Sequence, residues 1–220
     1  MLTKYGLSNI IVMGLLATIM LTVAILFKSK LHICIPFFVF SFLLYLFTFW
    51  FFRDPDRTLP KEAIDDNSLI ISPADGIITE IVEEIEKHYL QDNSIRISIF
   101  LSPFDVHVNR IPATGLVEFY RYNSGKYIIA NHPKASELNE QSLIGVNTQN
   151  GKILFKQIVG IVARRLVCEL KIGDSVKAGD RFGMMKFGSR MDIAVLPSTK
   201  INVKVGDRVI AGESIIAKLE

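Results

Sequence analysis

The first 52 residues contain no aspartate or glutamate, and Lys4, Lys28 and Lys30 are their only lysine or arginine residues. The rest of the chain holds 22 basic and 22 acidic side chains, so the formal charge of +3 resides in the N-terminal segment. With no basic excess in the polar part to neutralise phosphates, a nucleic-acid partner is not expected. Cysteine is nearly absent: Cys34 and Cys168 give no disulfide framework and no CxxC pair, and the polar part is expected to face a reducing compartment. No HxxxH, HExxH or Cys/His cluster occurs, so no protein metal site is expected. Polarity is scarce too. Half the residues are hydrophobic and the mean hydropathy is +0.33, which excludes a disordered or fully soluble protein.

The surplus is concentrated in two runs without Asp, Glu, Lys or Arg, Leu7 to Phe27 and Ile33 to Phe52, separated by Lys28-Ser29-Lys30. At about 1.5 Å per residue, each helix can cross a hydrocarbon core of roughly 30 Å. A cleaved signal peptide fits poorly, because the first run is long and a second follows at once. Residues 1–52 are therefore expected to form an uncleaved helical hairpin anchored in the cell membrane, with residues 53–220 as one further domain. Lys4 before the hairpin and Arg53, Arg57 and Lys61 after it favour both ends in the cytoplasm. Lys28 and Lys30 in the turn argue the other way, and a shallow re-entrant hairpin stays open.

Beyond Pro60 the texture changes to short β-branched runs broken by Gly, Pro and Asp. They are Ser68 to Ile71, Gly76 to Ile81, Ser94 to Leu101, Gly115 to Tyr120, Leu154 to Val162, Leu166 to Leu170, Met191 to Val195 and Ile201 to Val205. Such spacing predicts a mainly β (α+β) fold with an antiparallel β-rich domain, a helix around Glu83 to Leu90 and an irregular stretch from Tyr122 to Glu140. Lys171 to Asp180 recurs 33 residues later as Lys204 to Glu213, with six of ten positions identical. Each copy reads as strand, Gly-Asp turn, strand, in a lipoyl-like internal repeat. A biotinyl or lipoyl carrier modified at Lys186 is a competing reading, but the usual Met-Lys-Met context is missing.

Three places could carry chemistry. Gly188-Ser189 stands between the repeats; it reads as an ordinary turn, or as a hydroxyl placed to attack the glycyl carbonyl, which no Cβ shields. Asp75 follows the apolar Leu69 to Ile71 in Ser72-Pro73-Ala74-Asp75-Gly76, at a strand end. His107 follows the strand ending at Leu101, whereas His32 borders the apolar run, His88 lies in a charged stretch and His132 in a polar loop, so His107 is the best placed as a base.

In order and spacing, Arg53-Asp54-Pro55, Ser72-Pro73-Ala74-Asp75-Gly76, Leu101-Ser102-Pro103, Asp105-Val106-His107-Val108-Asn109-Arg110, Ala163-Arg164-Arg165 and Phe187-Gly188-Ser189 resemble the phosphatidylserine decarboxylase proenzyme family in its short, anchored form. The match runs from about Phe52 to Glu220. One departure is that long-form relatives carry two histidines three apart, and the second position here is Arg110.

The resemblance implies that the chain cuts itself between Gly188 and Ser189. It would give a β chain of residues 1–188 and an α chain of residues 189–220 that stay associated, with Ser189 converted to a covalent pyruvoyl group. That group would replace pyridoxal phosphate, with no metal, in decarboxylating phosphatidylserine to phosphatidylethanolamine. Ser189, His107 and Asp75 would be the catalytic residues and Gly188-Ser189 the cleavage site. An anionic phospholipid and the bilayer would be the partners, with the catalytic domain on the cytoplasmic side; a homo-oligomer stays open. Two rivals are another pyruvoyl-dependent amino-acid decarboxylase and a membrane-tethered lipoyl-like adaptor without activity.

Overall fold

The structure, a computed structural model, describes residues 1–126, 135–160, 166–186 and 189–220. The chain divides into two compact units, Met1–Pro55 and Asp56–Glu220.

In the first unit, α1 (Leu7–Leu26) and α2 (Leu31–Phe51) run antiparallel. The hairpin closes where Thr3 N–H donates to the Phe52 carbonyl at 2.9 Å and Asp54 N–H to that of Met1 at 2.7 Å. Ser41 Oγ donates to the Ala17 carbonyl at 2.7 Å, and Thr18, Thr22 and Thr48 donate to carbonyls four residues back. The hydroxyls thus find partners without water, as an apolar environment demands. Leu, Ile and Phe side chains cover the outer surface, and both helices are long and apolar enough to cross a membrane by length and composition.

The second unit is β-rich and antiparallel, with one short helix, α3 (Lys61–Asp65), ahead of its strands and another, α4 (Ala135–Leu138), before the sixth. The strands are β1 (Leu69–Ile71), β2 (Gly76–Glu86), β3 (Asp92–Leu101), β4 (Val108–Arg110), β5 (Gly115–Asn123), β6 (Gln141–Thr148) and β7 (Gly151–Val159). They continue as β8 (Leu166–Cys168), β9 (Ser175–Val176), β10 (Arg181–Met185), β11 (Ser189–Val195), β12 (Lys200–Ile201), β13 (Arg208–Val209) and β14 (Ile215–Lys218). Among the described residues they form an eight-stranded sheet, β13-β2-β3-β11-β7-β6-β5-β9, and two three-stranded sheets, β1-β14-β12 and β4-β10-β8.

Strand alternation sorts the large sheet into two faces. Ile97, Ile99, Leu101, Ile153, Phe155, Met191, Ile193 and Val195 point to one side and are buried in the main core. Each such side chain contributes about 1.5–3 kcal/mol on leaving water. The intervening positions Arg96, Ser98, Lys156, Arg190 and Asp192 put charge on the other face, beside a small cluster of Leu143, Leu154 and Ala194.

The repeats supply the two ends of this sheet. β9 pairs with β5 and β13 with β2. Gly173 and Gly206 donate to the carbonyls of Val117 and Ile78, both at 2.8 Å, and Val117 and Ile78 donate back to Asp174 and Asp207, both at 2.9 Å. Gly173, Gly179, Gly206 and Gly212 all have positive φ, which explains the glycines in both copies. The symmetry extends beyond the repeats: Ile71 N–H donates to the Pro112 carbonyl at 2.8 Å and Arg110 N–H to that of Pro73 at 2.9 Å. The two halves therefore clasp each other reciprocally, with the β11–β7 pair at the centre of the sheet.

Two expectations change. Glu83–Leu90 is not a helix: β2 continues through Glu86, whose carboxylate then accepts the N–H groups of His88, Tyr89 and Leu90 at 2.7–2.8 Å and folds a tight turn. The stretch from Tyr122 to Glu140 is partly regular, because β5 runs on to Asn123 and α4 occupies Ala135–Leu138.

Candidate active site

Ser189 is the first residue of β11, opposite Leu101 on β3 and Val159 on β7. It is fully buried on the core face, and its Oγ has no hydrogen-bond partner among the described residues. A buried hydroxyl without a partner costs about 1–3 kcal/mol and calls for an explanation. A nucleophile held out of the structural network supplies one.

His107 is fully buried. It lies just before β4, and its carbonyl accepts the N–H of Met185, the last residue of β10, at 3.3 Å. Met185 precedes Ser189 by four residues, a step of at most about 14 Å of extended chain. The topology therefore brings the base and nucleophile positions to one end of the sheet.

Nδ1 of His107 lies 2.9 Å from the main-chain carbonyl of Asp105. A carbonyl only accepts, so Nδ1 carries the proton and Nε2 has the lone pair that a base needs. A backbone oxygen thus fixes the tautomer. The Asp105 carboxylate in turn accepts Ser102 N–H at 2.8 Å and pairs with Arg208, locking the loop.

Asp75 stands at the head of β2. Its Oδ1 accepts Ala211 N–H at 2.8 Å, and its Oδ2 pairs with Arg57 at 2.9 Å. Arg57 also reaches Glu213 at 3.6 Å, so this cation is committed to carboxylates of its own unit. The Arg110–Pro73 backbone bond sets the Asp75 loop beside the strand that follows His107.

Behind Ser189, on the opposite face, Arg190 is almost wholly buried. Its Nε donates to Asp192 Oδ1 at 2.6 Å, and its Nη2 to Ser98 Oγ at 2.9 Å, Asp192 Oδ2 at 3.2 Å and Glu80 Oε2 at 3.3 Å. Arg96 joins the same Glu80 at 2.9 Å. Adjacent residues of β11 thus carry a buried hydroxyl without a partner among the described residues on one face and an ion network on the other.

Gly188, Phe187, Ala163-Arg164-Arg165 and His132 lie outside the described residues. Lys186 is buried, which removes it as an exposed carrier lysine. His88 sits off the site beside Arg121, and burial first, then nearby cations, lowers its pKa. Burial pushes the Cys168 thiol up to about 11, so it stays protonated at neutral pH. Among the described residues no group of three metal-ligating side chains forms.

Sequence reasoning assigned nothing to Asn109 and Gln157. Gln157 Nε2 donates to Asn109 Oδ1 at 2.9 Å, in the buried space between β4 and β7. Neutral amides on strands carry no pattern that would have marked them; Asn109's place two residues after His107 was the only hint.

A family model described as phosphatidylserine decarboxylase matches residues 44–217. Curated relatives named phosphatidylserine decarboxylase proenzyme include one from Salinibacter ruber, 51% identical over 174 residues, which are 79% of this chain and 76% of the relative. One from Chlorobium limicola is 40% identical over 219 residues, 99% of this chain and all of the relative. One from Amoebophilus asiaticus is 45% identical over 180 residues, 81% and 78% of the two chains.

Proposed function

The chain belongs to the phosphatidylserine decarboxylase family of carboxy-lyases, and from that premise we propose that it matures by cutting itself before Ser189 and then converts phosphatidylserine to phosphatidylethanolamine. The observation that carries the reading is the buried Ser189 Oγ, without a partner among the described residues, at the head of the central strand.

In maturation His107 Nε2 takes the Oγ proton as Oγ adds to the carbonyl carbon of Gly188, and the imidazolium returns a proton to the departing amine. The product is an ester. Removal of the Ser189 Cα proton expels the Gly188 carboxylate by β-elimination, and hydrolysis of the remaining enamine releases ammonia. Asp105 holds the imidazole through its carbonyl. Asp75 supplies negative charge beside the same strand, which favours the imidazolium.

The pyruvoyl group left at position 189 would serve as the electron sink for decarboxylation, the role other lyases give to a separate cofactor. Position 189 fits such a group, since it is buried and its side chain is not engaged among the described residues. His107, on the same end of the sheet, is the proton donor to the product carbon. The two chains stay together because residues 189–220 provide β11 between β3 and β7, β13 beside β2 and β14 beside β1. The apolar helix pair keeps the enzyme in the cell membrane, where a diacyl lipid resides, with the β-rich unit on the cytoplasmic side.

Intact-mass measurement of the purified protein tests this. The expected result is two chains, the smaller lighter by one ammonia than a peptide beginning at Ser189, while Ser189→Ala stays full length and inactive. A single unmodified chain in a preparation that decarboxylates phosphatidylserine vesicles removes the mechanism.

A further inference from the structure

Asn109 is fully buried on β4, two residues beyond the equally buried His107. The orientation of its amide follows from its neighbours. The Val167 carbonyl can only accept, and it lies 3.2 Å from the Gln157 side-chain atom that also faces Asn109; that atom is therefore Nε2. Ser142 Oγ donates to Gln157 Oε1 at 2.7 Å and fixes the other end. Gln157 thus presents N–H to Asn109, whose Oδ1 accepts at 2.9 Å, and the Asn109 NH2 is turned away. That Nδ2 is buried and has no hydrogen-bond partner among the described residues.

Gln157 pairs in register with Met191, two residues along β11 from Ser189 and on the same face. The carbonyl that Oγ would attack belongs to the residue bonded to the Ser189 nitrogen. Two buried groups without partners, a hydroxyl nucleophile and an amide with two hydrogens to give, thus share one region, linked through a single glutamine.

We propose that the Asn109 side-chain amide donates to the oxyanion formed when Ser189 Oγ adds to the preceding carbonyl, and is a catalytic residue of self-cleavage. The proposal rests on the self-cleavage reading above. In the step, the Oγ–C bond forms, the Oγ proton passes to His107, and the carbonyl π pair moves onto oxygen. Collapse reforms the carbonyl, expels the Ser189 nitrogen and returns the proton to it. Asn109 gains its missing acceptor only while the negative oxygen exists, which is the condition for lowering the barrier rather than stabilising the ground state.

The test is a cell-free synthesis chase in detergent, with cleavage followed by intact mass for wild type, Asn109→Leu and the isosteric Asn109→Asp. Both variants should cleave about 10²–10³-fold more slowly, the loss typical of one oxyanion donor. Placed in a Ser189→Ala background, Asn109→Leu should still fold, with an unfolding temperature lowered only by the loss of the Gln157 hydrogen bond, because the other group it removes is a donor that had no acceptor. Wild-type cleavage half-times in both variants overturn the proposal. So does a failure of Asn109→Leu to fold in that background, which would give Asn109 a structural role. Wild-type protein that never cleaves would instead refute the underlying reading and leave no reaction for Asn109 to assist.

Discussion

Asp75 and Thr114 occupy the same position in the two halves of the sheet. Each follows Pro-Ala and precedes Gly, and each side chain accepts the backbone N–H of the matching alanine in a repeat, Ala211 at 2.8 Å for Asp75 and Ala178 at 3.1 Å for Thr114. One half of the molecule closes this corner with a neutral hydroxyl. The half next to Arg57 uses a carboxylate, so its charge exceeds what the corner requires.

Asp75→Thr separates these roles, since it keeps an acceptor for Ala211 and removes the charge. The variant should remain folded, with an unfolding temperature within a few degrees of wild type, while self-cleavage slows by about 10-fold or more. Circular dichroism melting and an intact-mass time course check the two halves of the expectation. Cleavage at the wild-type rate would reduce Asp75 to a corner brace.

Asp192→Asn should destabilise the chain by about 3–5 kcal/mol, the usual cost of breaking one side of a buried pair, because Arg190 would keep its charge in the interior. The double variant Arg190→Met, Asp192→Leu should recover part of that loss, since it removes both charges. Urea unfolding in detergent, in a Ser189→Ala background so that the species is one chain, measures this. A loss below about 1 kcal/mol for Asp192→Asn would mean that water reaches the network.

Glu86 gives a pH dependence. Burial pushes its carboxyl up, but the N–H groups of Tyr89, His88 and Leu90 and the charge of Lys156 outweigh this and hold it below the usual range. A lowered folded value contributes stability above the unfolded glutamate value of about 4.3 and loses it as the pH falls through the folded value. Glu86→Gln should therefore cost about 1.5 kcal/mol or more at pH 7, and the gap to wild type should shrink below about pH 4. Melting curves across that range would contradict the assignment if the gap stayed constant.

The Gly-Asp repeats were legible because positive-φ turns at Gly173, Gly179, Gly206 and Gly212 restrict residue choice on the chain itself. The apolar runs were legible because length and charge exclusion are local. β6 was missed because its centre is Gly145, whose missing Cβ makes room for the Tyr89 ring, with Tyr89 Cδ1 only 2.6 Å from where a Cβ would stand. Glu83 to Leu90 looked helical because Glu86 resembles a helix former until its carboxylate is seen to fold the turn. Arg190 stood just before the expected strand from Met191 and Asp192 within it, with nothing in the chain to mark their burial. Only the pairing of β11 between β3 and β7 shows that they are interior, and only the contact with Gln157 gives Asn109 its orientation.

A break before Ser189 would fall at the head of the central strand, so the short fragment would supply β11 between β3 and β7, β13 at the sheet edge beside β2, and β12 and β14 of a second sheet. Such a fragment cannot be traded between molecules without dismantling the core that surrounds β11. On the self-cleavage reading, a molecule whose reactive end were spoiled would have no spare part to draw on, and activity would return only with a newly translated polypeptide. Expressing the two pieces from separate messages would pose a split-protein assembly problem, with the longer piece left to hold open a gap one strand wide.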